Sequence, residues 1–370
     1  MALPNAKYAE IVAVLMKEIL DGRFASGAPS VVRIMKRFSV ARATAVRALD
    51  ELKKKGLVTS RPGRGTFLTR EGKSRKIGLV VPALAGSEYA PAIVGAVSHL
   101  ARVNGYVLLL TDLSSLAPAD QAQQVRAFAS ELVAQRVAGV LYQPLENFPD
   151  AERWNREITG YFTQAGIPVV LFGCDVSMPP NARSGYDVVG IDNADAGRSL
   201  VRHLFDVGAR KIHFLMRPNC ASAYYDRLEG VATAVRDAGG SFVREVNVLV
   251  ADPADVRAVK RHLRRERPDA FICGSDTLAG YFRQTLEQVG LTVPKDMLLA
   301  GFNDLQVARL LSPPLTTVHQ PCDEVAATAF RFLQERMAGR NPSPRKCLLN
   351  APLVVRASSW KKAGAGRCAL

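Results

Sequence analysis

Three groups of residues in this chain are of types that do chemistry: a basic, glycine-rich stretch near the N-terminus, a scatter of histidines and cysteines, and polar residues that follow apolar runs further on. Residues 59–70 read TSRPGRGTFLTR, with three arginines, one proline, two glycines and no acid. Such a stretch could cradle a nucleotide phosphate, lie along a polynucleotide backbone as a hairpin tip, or be a plain surface turn. GRGTFL lacks the third glycine of a dinucleotide fingerprint, and no GxxxxGK[ST] loop occurs. The histidines (His99, His203, His213, His262, His319) form no HExxH pair, and there is no GxSxG elbow. The six cysteines form no CxxC pair and have no zinc-finger spacing to a histidine. No metal and no cofactor is expected, and the cysteines read as buried thiols of a reducing compartment.

Charge gives the basic stretch a context. Of 370 residues, the first 76 hold 17 Lys and Arg against 6 Asp and Glu, while the other 294 hold 32 against 28. A short cationic block on a near-neutral body suggests a polyanion-binding module beside a separate globular domain. The composition, 48% hydrophobic and 22% charged, can build a sizeable core. The N-terminus lacks signal-peptide order and no window reaches 18 apolar residues, so a cytoplasmic protein with no membrane contact is expected.

The elements around the stretch narrow its meaning. Apolar residues at spacings of three and four predict helices over residues 5–20, 31–38 and 40–55. In the third, Ala45, Ala48, Leu49 and Leu52 share one arc while Arg47, Asp50 and Lys54 face away. Asp50/Lys54 and Glu51/Lys55 are acid-before-base pairs at i, i+4, and Gly56 follows as a cap. Strands over 57–60 and 66–69 would flank Arg61-Pro62-Gly63-Arg64-Gly65. Three helices and a small hairpin make a winged helix-turn-helix, whose third helix enters the major groove of double-stranded DNA while the wing tip lies on the flanking backbone. A nucleotide loop would instead follow a strand and open a helix.

Residues 5–70 also resemble the N-terminal module of the GntR family. The matching residues are Pro29-Ser30, FSVARAT (38–44), RALDEL (47–52), Gly56-Leu57-Val58 and RPGRGTF (61–67). The resemblance implies that Ser30, Arg33, Arg42, Ala43, Thr44, Arg47, Arg61, Gly63 and Arg64 meet DNA. The family usually carries Arg at the position of Val32, Ser or Thr at that of Ala41, and often Arg at that of Val46. These are positions it uses on DNA.

After a charged linker (71–76) the pattern changes. Short apolar runs alternate with amphipathic ones from IGLVVP to PVVLFG, and a second series runs from DVVGID to LLAGF. Such alternation implies parallel sheets covered on both faces, and two series imply two α/β subdomains with a ligand cleft between them. Residues 77–359 resemble the LacI/GalR effector domain, a relative of periplasmic sugar-binding proteins. The resemblance is carried by VVGIDNADAGRSLVRHLFDVGARKIHFL (188–215), RLEG (227–230), PDAFICGSDTLA (268–279), LLAGFND (298–304), PPLTTVHQP (313–321) and LVVRASS (353–359). The expected architecture is therefore α/β: a winged helix-turn-helix (1–70), a linker (71–76), a two-subdomain, Rossmann-like sensor of periplasmic-binding-protein type I (77–359) and a tail (360–370). The combination resembles the arabinose-repressor group.

The resemblance implies a DNA-binding transcription regulator, a homodimer on a palindromic operator, answering to a sugar or sugar-like effector. Arg227, opening RLEG at a helix start, would grip ligand hydroxyls with its donor fork. Asp175 follows a strand, where it either meets ligand or shapes a turn. Asp276 either caps a helix or orients Arg227. Ser275, Asn303 and Tyr89 complete the candidate effector set, with Tyr224 and Tyr225 as rim or stacking rings. Asp192-Asn193 reads as a cap for the helix over 194–208. The rival class is an α/β enzyme acting on a sugar-type substrate, with the N-terminal block as a DNA-targeting head.

Overall fold

The computed structural model describes residues 4–20, 28–55, 57–61, 65–68, 76–82, 89–110, 118–146, 150–177, 184–220, 222–340 and 342–360. The N-terminal block is built on α1 (Pro4–Leu20), α2 (Val31–Phe38) and α3 (Arg42–Lys54). Ile11, Leu15 and Ile19 of α1 recur every four residues and pack on Ile34 of α2 and on Ala45, Ala48, Leu49 and Leu52 of α3. Glu18 accepts hydrogen bonds from both terminal nitrogens of Arg37, at 2.7 and 2.6 Å, which pins α2 to α1.

The third helix begins two residues later than its periodicity predicts. Ser39 turns through the left-handed region at φ 49°, and Ala41 stays extended as an N-cap with no side-chain bond, so Val40 and Ala41 lie outside the helix. The charged pairs that form on α3 are Lys53–Asp50 at 3.0 Å and Lys54–Glu51 at 3.6 Å, spaced i, i+3 rather than i, i+4. Strands β1 (Val58–Arg61) and β2 (Gly65–Leu68) form the antiparallel hairpin, with Val58 opposite Leu68 and Arg61 opposite Gly65. Gly56 and residues 62–64, the expected cap and wing tip, lie outside the described residues.

The rest of the chain fills two six-stranded sheets. Strands β3 (Lys76–Val80), β4 (Val107–Leu110), β5 (Val140–Tyr142), β6 (Val169–Phe172) and β7 (Asp187–Ile191) alternate with helices α4 (Tyr89–Val103), α5 (Pro118–Ala134) and α6 (Ala151–Gln164). The second sheet is built by α7 (Asn193–Asp206), β8 (Ile212–Met216), α8 (Ser222–Asp237), α9 (Arg244–Asn247), β9 (Val248–Val250), α10 (Val256–Glu266), β10 (Ala270–Cys273), α11 (Asp276–Gln288), β11 (Leu298–Asn303), α12 (Gln306–Leu310) and β12 (Thr316–His319). The chain then returns through α13 (Cys322–Met337) and β13 (Lys346–Leu349), and ends at β14 (Leu353–Val354) and a 3-10 turn. The sheet orders are β13-β7-β6-β5-β3-β4, all parallel, and β14-β12-β11-β10-β8-β9, parallel except for β14. Central strands such as β6, β8 and β10 are buried at every residue, as sheets covered on both faces require.

Two features correct the linear reading. DVVGI does not open the second sheet: it is β7, paired with β6 of the first, and the second sheet starts with β8. Residues 322–349 also return to the first sheet. A buried ion cluster fixes that return, since Asp187 of β7 accepts from Arg336 of α13 and from Arg345 just before β13, each at 3.0 Å. Burial opposes ionisation of Asp187, but the two guanidiniums hold its carboxyl down at about 2. Each subdomain is thus discontinuous, and the chain crosses between the sheets near residues 192, 320 and 351. Hydrophobic periodicity announces a strand without saying which sheet edge it joins.

Helices α7 and α8 approach so closely that glycine is required at the contact. A Cβ on Gly230 would stand 2.0 Å from the Ala194 carbonyl oxygen, and one on Gly197 2.5 Å from that of Arg227. Backbone atoms cannot yield as a flexible side chain does. Gly230→Ala is expected to destabilise the protein by about 1–3 kcal/mol and to shift α8; chemical denaturation with an unchanged midpoint would show that the helices can part without cost.

Candidate functional site

The N-terminal block presents one cationic face. On α3, Arg42, Ala43, Val46, Arg47 and Asp50 are exposed, Thr44 is half-buried, and the opposite side is core. Among the described residues Arg42 makes no hydrogen bond or ion pair, whereas the Arg47 guanidinium stacks over the Tyr8 ring, 4.2 Å from its centroid. Ser30 caps α2 by accepting from the Arg33 N–H at 3.3 Å, and the Arg33 side chain is exposed. Of the expected wing residues, Arg61 stands in β1 opposite Gly65, with its side chain outside the described residues; Gly63 and Arg64 lie wholly outside them.

A second site lies where the carboxyl ends of parallel strands from the two sheets meet, the usual ligand position in open α/β sheets. Arg227 is its centre. It stands in the second turn of α8, not at the helix start, and is 5% exposed. Its Nε donates to Asn193 Oδ1 at 2.8 Å, Nη1 to the Gly274 carbonyl at 2.6 Å, and Nη2 to Asn303 Oδ1 at 3.2 Å. The Phe302 and Tyr224 rings flank the guanidinium, with centroids at 4.6 and 5.4 Å. Burial lowers its pKa, and the phenol of Tyr224 and the carboxyls of Glu146 and Asp276 act in the opposite sense.

The other candidates are placed around that charge. Asn303 ends β11 with φ 105°, a conformation Asn tolerates better than most residues. Ser275, not Asp276, is the N-cap of α11, accepting from Leu278 N. Asp276 is fully buried and accepts from the Thr317 hydroxyl at 2.6 Å and from Leu305 N at 2.8 Å. It makes no hydrogen bond to Arg227 and instead ties α11 to the β11–α12 connection and to β12. Burial pushes its carboxyl up to about 7, against the pull of those two donors. Tyr89 opens α4 and is 7% exposed; the Gln320 amide lies close, but among the described residues the phenol oxygen finds no partner with hydrogen-bond geometry.

Asp175 lies apart from this cluster, on the loop after β6, where it accepts from Ser177 N at 3.1 Å and Ser184 N at 3.4 Å. That is the turn role, and it leaves Asp175 on the wall of a cavity of about 430 Å³ shared with Glu146, Cys174, Asn219, Cys220 and Tyr225. The volume suits a small ligand. Tyr224 lies over Gly274, leaving no room for a Cβ there.

Two residues of this site went unread in the sequence. Glu146 lines the cavity and makes no hydrogen bond among the described residues; burial pushes its carboxyl up to about 7, with Arg227 opposing. Its position just past β5 was the available signal. Asn193, read only as part of a cap pair, divides the work with its neighbour. Asp192 caps α7 by accepting from Asp195 N at 2.8 Å, while Asn193 turns inward to Arg227. Among the described residues no three His, Cys, Asp or Glu side chains gather as metal ligands, and no helix is long and apolar enough to cross a membrane.

Comparison with known proteins bears on the family and the fold. Residues 7–68 match the bacterial regulatory proteins of the gntR family, and residues 201–359 match the periplasmic binding protein-like domain. The arabinose metabolism transcriptional repressor of Geobacillus stearothermophilus is 26% identical over 375 residues, covering 95% of this chain and 97% of that protein. The HTH-type transcriptional repressor PurR of Vibrio vulnificus is 29% identical over 288 residues, or 76% and 80% of the two chains. Among solved structures, the transcriptional regulator CelR–cellobiose complex superposes with a TM-score of 0.66 at 25% identity, over 93% of this chain and 98% of that one. The chain therefore joins a DNA-binding domain of the gntR family to a periplasmic binding protein-like domain of the kind found in LacI-type repressors.

Proposed function

We propose that this protein is a cytoplasmic transcriptional repressor that binds double-stranded DNA through its winged helix and senses a sugar or sugar-like molecule in the cleft around Arg227. The observation that carries the reading is the coexistence, in one chain, of a cationic winged helix and a buried guanidinium at the strand ends, held by acceptors from α7, β11 and the β10–α11 junction, with a cavity of about 430 Å³ lined by Glu146 and Asp175 between the sheets' loops. Planar donor forks and amide side chains suit the vicinal hydroxyls of a sugar. The family and its relatives are transcription regulators, not enzymes, so the cleft returns its ligand unchanged.

The mechanism follows from the three crossings. A ligand that bridges Glu146 and Asp175 on one side and Arg227 on the other favours the closed arrangement of the two sheets, with the crossings as hinge. In a twofold dimer, that change of angle alters the spacing of two DNA-reading heads on a palindromic operator.

A thermal-shift screen of sugars, polyols and sugar acids tests the ligand reading. At least one is expected to raise the melting temperature of the parent and to leave Arg227→Ala unmoved. The substitution also strands the acceptors Asn193, Gly274 and Asn303, costing about 1–3 kcal/mol for each one left unpaired. Retained stabilisation would place the ligand elsewhere.

Glu146 supplies a pH test. Its folded pKa is raised, so the folded protein binds this proton more tightly than the unfolded chain does. The stability it lends is complete below the unfolded value and is lost as pH rises through about 7. Between about pH 5 and 8 the melting temperature of Glu146→Gln is expected to fall less than that of the parent; equal slopes would show that Glu146 is fully solvated.

On DNA, Arg42→Ala is expected to cost about 1–3 kcal/mol and relax sequence preference, whereas Arg64→Ala weakens all sequences alike and lowers the salt slope by about one. Mobility shifts unchanged in both variants would remove these residues from the interface.

A further inference from the structure

Resting on the reading of α3 as the helix that enters the major groove, we propose that Val46 and Ala43 recognise thymine methyl groups, so that the operator carries thymines where they dock. The exposed face of α3 carries two apolar side chains among its charged ones. Ala43 and Val46 are exposed, Val46 by 37%, beside Arg42, Arg47 and Asp50. The Arg47 guanidinium is held over Tyr8, whereas Arg42 makes no hydrogen bond or ion pair among the described residues. The occupant is fixed by charge, because this block holds 17 Lys and Arg against 6 Asp and Glu, which suits a polyphosphate backbone rather than an apolar protein surface.

Within the groove the chemistry is selective. Among the recognition groups displayed there the C5-methyl of thymine is the one apolar group that stands out from the base edge; the others are hydrogen-bond donors or acceptors. A valine isopropyl group pressed on a purine N7 or a cytosine amine strips water and returns no hydrogen bond, so those bases are rejected. Pressed on a thymine methyl, it buries apolar surface on both partners. Residues 43 and 46 are i, i+3 neighbours, so their Cβ atoms lie about 5–6 Å apart. One base step rises about 3.4 Å along a strand, so the pair reaches thymines at neighbouring steps. Arg42, one residue before Ala43 at the N-terminus of α3, remains free to fork onto a guanine beside them. The half-site is therefore a guanine next to a thymine cluster, read by one guanidinium and two methyl-bearing side chains.

The test uses the full-length protein and operators obtained by selection from random duplexes. Each thymine of the selected half-site is replaced by deoxyuridine, which removes only the C5-methyl. Binding is expected to weaken about fourfold at each contacted methyl, from the area one such group buries. Val46→Ala is expected to remove the thymine–deoxyuridine difference at one position, and Val46→Arg to move the selected base there to guanine. Val46 is not part of the block's buried cluster, so the variants are expected to melt close to the parent. Deoxyuridine tolerated at every position, or a penalty that survives in Val46→Ala, would overturn methyl reading while leaving DNA binding in place. Selection that yields no preferred sequence would overturn the DNA-regulator reading itself.

Discussion

A guanidinium that is nearly withdrawn from water must find an acceptor for each edge it presents, and Arg227 finds them on three separate elements. Asn193 begins α7, Gly274 follows β10 and Asn303 ends β11. The ends of β10 and β11 and the start of α7 are thus held to α8 by one cation. Removing any one partner would leave a buried polar group unpaired, a heavier penalty than the bond itself is worth. The close contact of α7 with α8 serves the same constraint. Only glycines at 197 and 230 let Asn193 and Arg227 stand within 2.8 Å of each other. RLEG is therefore one device, in which the arginine holds the cleft and the glycine three residues on lets its helix come close enough.

The same cluster explains how a cleft can be both stable and responsive. Asp276, raised to about 7 by burial, fastens α11 to β12 and to the β11–α12 connection. Among the described residues, by contrast, Glu146 makes no hydrogen bond and the Tyr89 phenol finds no partner in hydrogen-bond geometry. Polar groups kept partly dry and unsatisfied are poorly placed in an empty cleft and better placed when a hydroxyl-rich ligand fills it. The walls of the cleft are thus committed to the fold on the second-sheet side, while on the first-sheet side they hold groups in reserve.

Much of this was legible in the chain. Helix and strand positions followed from periodicity, because each element has one buried face or, in the parallel sheets, two. Arg227 and Asn303 were identified from resemblance to a known effector domain, and the structure places them in hydrogen-bond contact. Glu146 and Asn193 escaped because each sits beside a more conspicuous local feature. Asn193 looked like half of a helix cap, and Glu146 lies just past the apolar run AGVLYQP, which reads as a strand. The start of α3 was misplaced because Val40 and Ala41 fit the apolar period, while Ser39 takes a left-handed conformation that no period reports.

By itself the sequence determined the identities of the parts: a cationic three-helix block with a hairpin, then alternating apolar runs that had to become covered parallel sheets. These are consequences of side-chain chemistry and of 3.6- and 2-residue periods, which act locally. Only the tertiary structure decided that β7 and the returning β13 belong to the first sheet, that the chain crosses between the sheets three times, and that Arg227 meets Asn193 across 34 residues and Asn303 across 76. Those pairings depend on which exposed strand edge is free when a segment arrives and on where a buried charge can be neutralised. Both are properties of the assembled chain, and no local pattern encodes them.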